Sequence, residues 1–146
     1  MDVGSGGGTP GIPLAVSLPD REVTLLEAER RKTEFLQQWT GELPNLHVVW
    51  GRAESQVTDC YKVAAAKALA QPPVAAEWCL PLVEAGGAVI LWVGPSADAE
   101  AVALVAAKIA GELEAASPGF LVLRKTGPTP AGFPRRTGVA KKRPLA

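Results

Sequence analysis

Five glycines, Gly4, Gly6, Gly7, Gly8 and Gly11, crowd into the stretch DVGSGGGTPGIPLA, Asp2 to Ala15. A residue without Cβ lets backbone N–H groups approach a ligand that a side chain would hold away, so the loop reads as a seat for a phosphate or a nucleoside. A phosphate-binding GxxxxGK[ST] loop is excluded, because no lysine follows any of these glycines. A dinucleotide fingerprint GxGxxG fits Gly6, Gly8 and Gly11, which keeps a nicotinamide-dependent oxidoreductase open. Against it stand Pro10 inside the match and the acid Asp2 ahead of the loop.

Other chemistries find little to work with. The single histidine, His47, begins a strand and reads as a surface or satisfied residue, and the two cysteines, Cys60 and Cys79, lack the spacing of a metal or redox pair. Both cysteines are expected as buried thiols and no metal site is expected. Charge is distributed unevenly. Residues 1–114 hold eight Lys/Arg against all 15 Asp/Glu, whereas Arg124, Lys125, Arg135, Arg136, Lys141, Lys142 and Arg143 follow with no acid among them. That basic end reads either as a footprint for a polyanion such as RNA or as a solvated tail.

The elements that must position these groups alternate. After the loop come a short helix from Ile12 to Leu18, a strand EVTLLE, an amphipathic helix from Glu29 to Trp39 and a strand LHVVW. The spacing then predicts a strand YKVAAA, a helix VAAEWCLPLVEA stopped at Gly86 and Gly87, a strand GAVILWV, a long helix from Ala97 to Glu114 and a last strand FLVLRK. Such alternation means βαβ units and a Rossmann-like, doubly wound, mainly parallel α/β sheet. Trp39, Trp50, Trp78 and Trp92 sit in these elements as expected core residues. Only Met1 precedes Asp2 where a first strand should run, so the chain reads as shortened at its N-terminus, with the neighbouring strands left as unpaired edges. The expected organisation is a domain over residues 1–125 and a Pro/Gly-rich basic tail over 126–146. No apolar run approaches about 18 residues and no export signal opens the chain, which places it in the cytoplasm with no membrane partner; a monomer is expected.

The arrangement Asp-x-Gly-x-Gly-x-Gly resembles motif I of the class I S-adenosylmethionine-dependent methyltransferases. Four further segments narrow the resemblance: TLLEAERRKTEFL, GRAE (51–54), EWCLPL (77–82) and the tail LRKTGPTPAGFPRRTGVAKKRPL (123–145). Together these are similar to the RsmG/GidB family, the small-subunit (16S) ribosomal RNA guanine-N7 methyltransferases, over nearly the whole chain. The resemblance implies S-adenosylmethionine as cofactor and ribosomal RNA or the small subunit as partner. It implies cofactor contacts at Asp2, Gly4, Gly6, Gly8 and Thr9 in the loop, and at Ala53, Glu54 and Lys67. Glu27, closing EVTLLE, is implied as the acceptor of both ribose hydroxyls; the alternative on position alone is that it begins a surface helix. Lys67 stands where the family generally has Arg, Lys62 where it usually has Asp, and Val93-Gly94 where it has Lys-Gly. These substitutions keep a degenerate, inactive RNA-binding relative open as a second reading.

Guanine N7 presents a lone pair and no proton, so methylation there needs alignment rather than a general base. That fits a chain without a catalytic His or Cys; Lys67 is the one candidate for assistance. In the same reading Arg135, Arg136, Lys141, Lys142 and Arg143 would hold RNA phosphates, with Phe133 available for stacking. Alternatively the prolines lay the tail across the sheet as a structural strap.

Overall fold

Short apolar runs bounded by glycine, proline and aspartate become seven strands of one sheet in the computed structural model, which describes residues 1–146. They are β1 (Asp2–Val3), β2 (Val23–Glu27), β3 (Leu46–Trp50), β4 (Tyr61–Lys67), β5 (Val83–Trp92), β6 (Gly111–Ser117) and β7 (Phe120–Lys125), in the spatial order β3-β2-β1-β4-β5-β7-β6. Pairings among β1 to β5 are parallel, and β7 runs antiparallel to both β5 and β6. The helices are α1 (Gly11–Ser17), α2 (Arg30–Gln37), α3 (Pro72–Cys79), α4 (Ala99–Ala107) and α5 (Val139–Lys142). The mainly parallel, doubly wound sheet expected from the alternation is therefore present.

β1 is two residues long yet joins the halves of the sheet: Asp2 lies opposite both Leu25 and Ala65. The Met1 amino group adds a bond to the Val63 carbonyl at 2.6 Å, and the Met1 carbonyl accepts from Ala65 at 2.8 Å. The chain moves outward from β1 to β3 and returns to β4 on the other side, so the ends of β1 and β4 flank a switch in direction. Ligands of open α/β sheets bind at such a point.

Alternation along the strands divides the core. Leu25 joins Ala15, Leu36 and Leu46 in a small cluster under α1 and α2, while Leu26 joins Val3, Ala64, Ala66, Val89 and Leu91 in a larger one against α3 and α4. Ala106, Ile109 and Trp78 complete the larger cluster.

The structure corrects four sequence expectations. The helix predicted through Ala85 stops at Cys79; Leu80–Leu82 form a tight turn and β5 already begins at Val83. Register along β4 then jumps, Tyr61 facing Val83 but Val63 facing Ala88, and Gly86 (φ +85°) turns the extra residues outward. Gly87 sits so close that a Cβ there would lie 2.5 Å from the Lys62 carbonyl oxygen. These two glycines shape a strand irregularity rather than end a helix. The long helix predicted to Glu114 also ends early, at Ala107. Ala110 (φ +51°) reverses the chain, and Gly111–Ser117 forms the edge strand of a hairpin closed through Pro118-Gly119. Pairing with β7 overrides the helix propensity of the alanines.

The other two corrections concern burial. Trp50 is 62% exposed and Trp39 is also exposed, each on an outer element, so only Trp78 of the four tryptophans is fully buried. Cys60 is exposed and only Cys79 is buried. His47, in contrast, is exposed and pairs with Glu22, as a surface residue would.

Residues 126–146 lie against the fold. Lys125, fully buried, donates to Asp59 (3.0 Å), Thr129 Oγ1 (2.8 Å) and the carbonyls of Leu80 (3.0 Å) and Val83 (3.1 Å), and Thr129 in turn donates to Asp59. Ala140 is buried, Phe133 and Leu145 pack on the larger cluster, and Lys108 bonds the Leu145 carbonyl. Lys125 thus belongs to a structural clasp and not to a polyanion footprint, and Arg124 is bound to Glu114 across the hairpin.

Burial pushes the Asp59 carboxyl up, but hydrogen bonds from Lys125 and Thr129 outweigh it and hold the group below its ordinary value. A depressed carboxyl stabilises the fold fully above its unfolded value, about pH 3.9, and loses that contribution as the pH falls through the lower folded one. Lys125→Met removes the cation beside Asp59 and the donor to the buried Leu80 and Val83 carbonyls, and is expected to cost about 3 kcal/mol near neutral pH in urea denaturation. Asp59→Asn is expected to flatten the acid limb of the stability curve. Thiol titration of the native protein is expected to modify Cys60 and spare Cys79, whose thiol burial pushes up to about 12, until denaturant is added.

Candidate functional site

The glycine loop leaves β1 and crosses the end of β2, held by the strand it crosses. Gly4 and Ser5 N–H groups both donate to the Leu26 carbonyl, at 2.8 and 3.1 Å, and Gly6 N–H donates to Glu27 Oε2 at 2.8 Å. Gly4, Gly6 and Gly8 all have positive φ, +72°, +55° and +96°. The loop also leaves no room for side chains at two of these positions: a Cβ on Gly4 would lie 2.4 Å from Leu69 Cδ1, and one on Gly8 2.3 Å from Ile12 Cδ1.

Asp2 holds the loop from behind. Its carboxylate accepts from Gly11 N–H at the start of α1 (3.0 Å), and the Ser5 hydroxyl donates to the Asp2 carbonyl (3.0 Å). The other carboxylate oxygen is buried without a partner. Burial pushes the Asp2 carboxyl up, opposed by the Gly11 hydrogen bond. Seated there, Asp2 positions the loop from behind and is not part of the cavity wall in front of it.

In front of the loop is a cavity of about 480 Å³. One side is the loop itself, Gly4 to Gly7 with Thr9; the others are Leu26 to Ala28 at the end of β2, Gly51 to Glu54 after β3, and Lys67 to Leu69 after β4. Trp78 of α3 forms part of the wall. The Glu27 carboxylate is the polar centre. Oε2 takes the Gly6 N–H and Oε1 takes the Glu29 N–H, both at 2.8 Å, so the group is fixed in orientation while each oxygen keeps capacity for another donor. Glu27 therefore does two things that a surface helix residue would not: it ties loop to helix, and it presents acceptors to the cavity.

The structure brings together seven of the nine cofactor residues named above: Gly4, Gly6, Thr9, Glu27, Ala53, Glu54 and Lys67. Asp2 and Gly8 lie behind the loop, Gly8 against Ile12 and Leu36. Lys32 and Arg52 also line the cavity without being expected as cofactor contacts, and Trp78, expected as a core residue, is part of its wall. Lys32 stands in the first turn of α2 and pairs with Glu29 at 2.8 Å. Nothing in the spacing of Trp78 separates a wall residue from a core one.

Lys67 and Ala68 are shared with a second cavity, of about 780 Å³, which opens between the ends of β4 and β5 and the start of α4. Trp92 and Phe120 line it, packed edge-on with ring centroids 5.1 Å apart, together with Gln71 and Asp98. The basic residues of the C-terminal segment divide. Arg135 is engaged with Glu77 by two bonds of 2.6 and 2.5 Å, whereas Arg136, Lys141, Lys142 and Arg143 are exposed. Phe133 packs on the core rather than standing free for stacking.

Comparison with known proteins agrees with this geometry. The solved structures that the fold resembles include a 16S rRNA N2 methyltransferase of T. thermophilus in complex with AdoMet and guanosine (TM-score 0.64, 17% identity, 88% of this chain and 35% of that one). Another is the antibiotic-resistance methyltransferase Kmr (TM-score 0.66, 16% identity, 86% and 85%). At such identities they establish the class I methyltransferase fold. Sequence similarity is closer. The ribosomal RNA small subunit methyltransferase G of Pelotomaculum thermopropionicum is 40% identical over 99% of this chain and 69% of its own length, and that of Synechococcus elongatus 38% identical over 99% and 68%. The nicotinamide reading draws no support from these relatives. With the family model for GidB, rRNA small subunit methyltransferase G, matching residues 1–121, the chain belongs to the rRNA small subunit methyltransferase G family.

Proposed function

We propose that this chain transfers a methyl group from S-adenosylmethionine to N7 of an unpaired guanine in small-subunit ribosomal RNA. The observation that carries the cofactor half of the reading is the Glu27 carboxylate, fixed by two backbone N–H groups at the rim of a glycine-loop cavity. A vicinal diol offers two O–H donors, and a carboxylate with one free acceptor on each oxygen is its complement. Gly4 to Gly7 supply bare backbone for the amino-acid portion, and Ala53, Glu54 and Trp78 supply the wall for the base. The residues present therefore fit the cofactor, which when bound supplies a methyl group already activated by a sulfonium.

The acceptor half rests on the second cavity. It meets the first at Lys67 and Ala68, and its Trp92–Phe120 pair offers an apolar surface for a flipped or single-stranded base. Transfer forms an N7–CH3 bond as the sulfur–carbon bond breaks, the electron pair leaving with sulfur. No proton moves. The protein has to align three atoms and exclude water, and Lys67 at the junction can donate to a purine oxygen beside N7 without acting as acid or base. Arg136, Lys141, Lys142 and Arg143 are the exposed cations of the C-terminal segment that could meet RNA phosphates.

Calorimetric titration with S-adenosylmethionine tests the cofactor site. Saturable binding indifferent to NADH is expected, weakened at least about tenfold by Glu27→Ala, since hydrogen bonds to a charged group contribute roughly 1.5–3 kcal/mol each. No saturable binding, or equal binding by the variant, would overturn the assignment. Methyl incorporation into small-subunit RNA is expected to vary little between about pH 6 and 8.5, because no group titrates in the reacting step. A bell-shaped profile in that range would mean that a general acid or base takes part.

A further inference from the structure

Two side chains in the wall of the glycine-loop cavity are held from outside by the C-terminal segment. Glu54 Oε1 accepts from the Gly138 N–H at 3.1 Å, and Gly138 adopts φ +81°, a conformation that suits glycine and aims that N–H at Glu54. Trp78 carries the Lys141 ammonium over its ring face, 5.3 Å from the centroid, within cation–π range. Glu54 and Trp78 belong to different elements, a short turn after β3 and α3, and the segment from Gly138 to Lys141 bridges them.

The bridge is itself clamped. Arg135 meets Glu77 side-on, Nε donating to Oε1 at 2.6 Å and Nη2 to Oε2 at 2.5 Å, and Glu77 is 3% exposed one residue before Trp78. A planar fork on a buried carboxylate fixes direction as well as distance. Ala140, fully buried between Gly138 and Lys141, seats the intervening backbone on the core.

We propose that Arg135, Gly138 and Lys141 are positioning residues for the cofactor pocket, a C-terminal brace that sets Glu54 and Trp78, and that the phosphate-binding role of the segment falls to its other cations. The inference rests on the cofactor assignment of the preceding section. It reassigns two of the five basic residues first read as an RNA footprint. Lys141 spends its charge on an aromatic face and Arg135 on a buried acid, so neither is free for phosphate without loosening the wall. Lys142, next in sequence and exposed without such a partner, serves as the contrast.

The test compares Lys141→Met, Lys141→Arg, Lys142→Met and Arg135→Lys in the full chain, each checked for an unchanged far-ultraviolet spectrum. Two readouts are taken: S-adenosylmethionine affinity by calorimetry, and amide hydrogen exchange over residues 52–56 without cofactor. The expected result is a three- to tenfold loss of affinity in Lys141→Met and Arg135→Lys, recovery in Lys141→Arg, and no change in Lys142→Met, with faster exchange over 52–56 in the first two only. Lys142→Met is expected to weaken binding of a ribosomal RNA fragment and to reduce its salt dependence, leaving cofactor affinity alone. Unchanged exchange over 52–56 in Lys141→Met and Arg135→Lys overturns the brace, whatever the wild-type chain binds. Equal loss of cofactor affinity in Lys141→Met and Lys142→Met overturns it as well, because that would be a general charge effect. Faster exchange in Lys141→Met and Arg135→Lys, with a wild-type chain that binds no S-adenosylmethionine, would uphold the brace and sink the cofactor reading instead.

Discussion

The Glu27 carboxylate is the interaction on which the site depends. It stands at the end of β2 and accepts from a loop on one side and a helix start on the other, through Gly6 and Glu29. A loop 21 residues earlier and the helix start two residues later are thereby referred to one charged group. The loop cannot take that path with ordinary residues, since Gly4, Gly6 and Gly8 all lie at positive φ and two of them have neighbours inside 2.5 Å of a Cβ. Backbone freedom at the glycines and a fixed acceptor at Glu27 are therefore one device. Removing the carboxylate would release the loop as well as the ligand, so this residue cannot be assigned to structure or to binding alone.

A carboxylate so placed has to be compensated, and the chain supplies backbone rather than a cation for that purpose. The same economy recurs at Asp2, whose buried group faces Gly11 N–H at the first turn of α1. Two other carboxylates are met by cations, in buried or half-buried pairs that attach the C-terminal segment: Lys125 to Asp59 and Arg135 to Glu77. Each joins residues more than fifty positions apart. Because a bidentate or multiply bonded pair is directional, it fixes where the segment lies as well as that it lies there. The basic excess of the C-terminal end is thus partly structural, and the charge available to a polyanion is smaller than composition implies.

The parallel half of the fold was legible because its signals were local and agreed with one another. EVTLLE and LHVVW are apolar runs of strand length between helix and turn signals, and the observed strands match them to within a residue. The antiparallel edge was not legible. GELEAAS carries helix-forming residues, and only its partner FLVLRK makes it a strand, through a hairpin that ties Glu114 to Arg124. VEAGG likewise reads as a helix end until Gly87 is seen to fit against the Lys62 carbonyl. For the site, residues within the loop motif could be read directly. Trp78 could not, because wall and core residues obey the same periodicity. Nor could the pairing of Arg135 with Glu77, which depends on a contact 58 residues apart in the chain.

A reaction that moves no proton places its demands on alignment, and alignment is a property of walls. Proximity contributes only while the reacting atoms are held in line, so displacement of a wall by an ångström can matter as much as loss of a contact. In this chain the cavity wall is built from four separate connections, after β1, β2, β3 and β4, with Trp78 added from α3. Loops converging from separate strands are individually soft. Glu27 unites the first two from within the sheet, and the segment from Arg135 to Lys141 reaches the third at Glu54 and α3 at Trp78. The fourth, Lys67 to Leu69, packs Leu69 against Gly4 of the first. Every wall is therefore tied to another by a named contact, and rigidity that no single loop possesses arises from their mutual attachment.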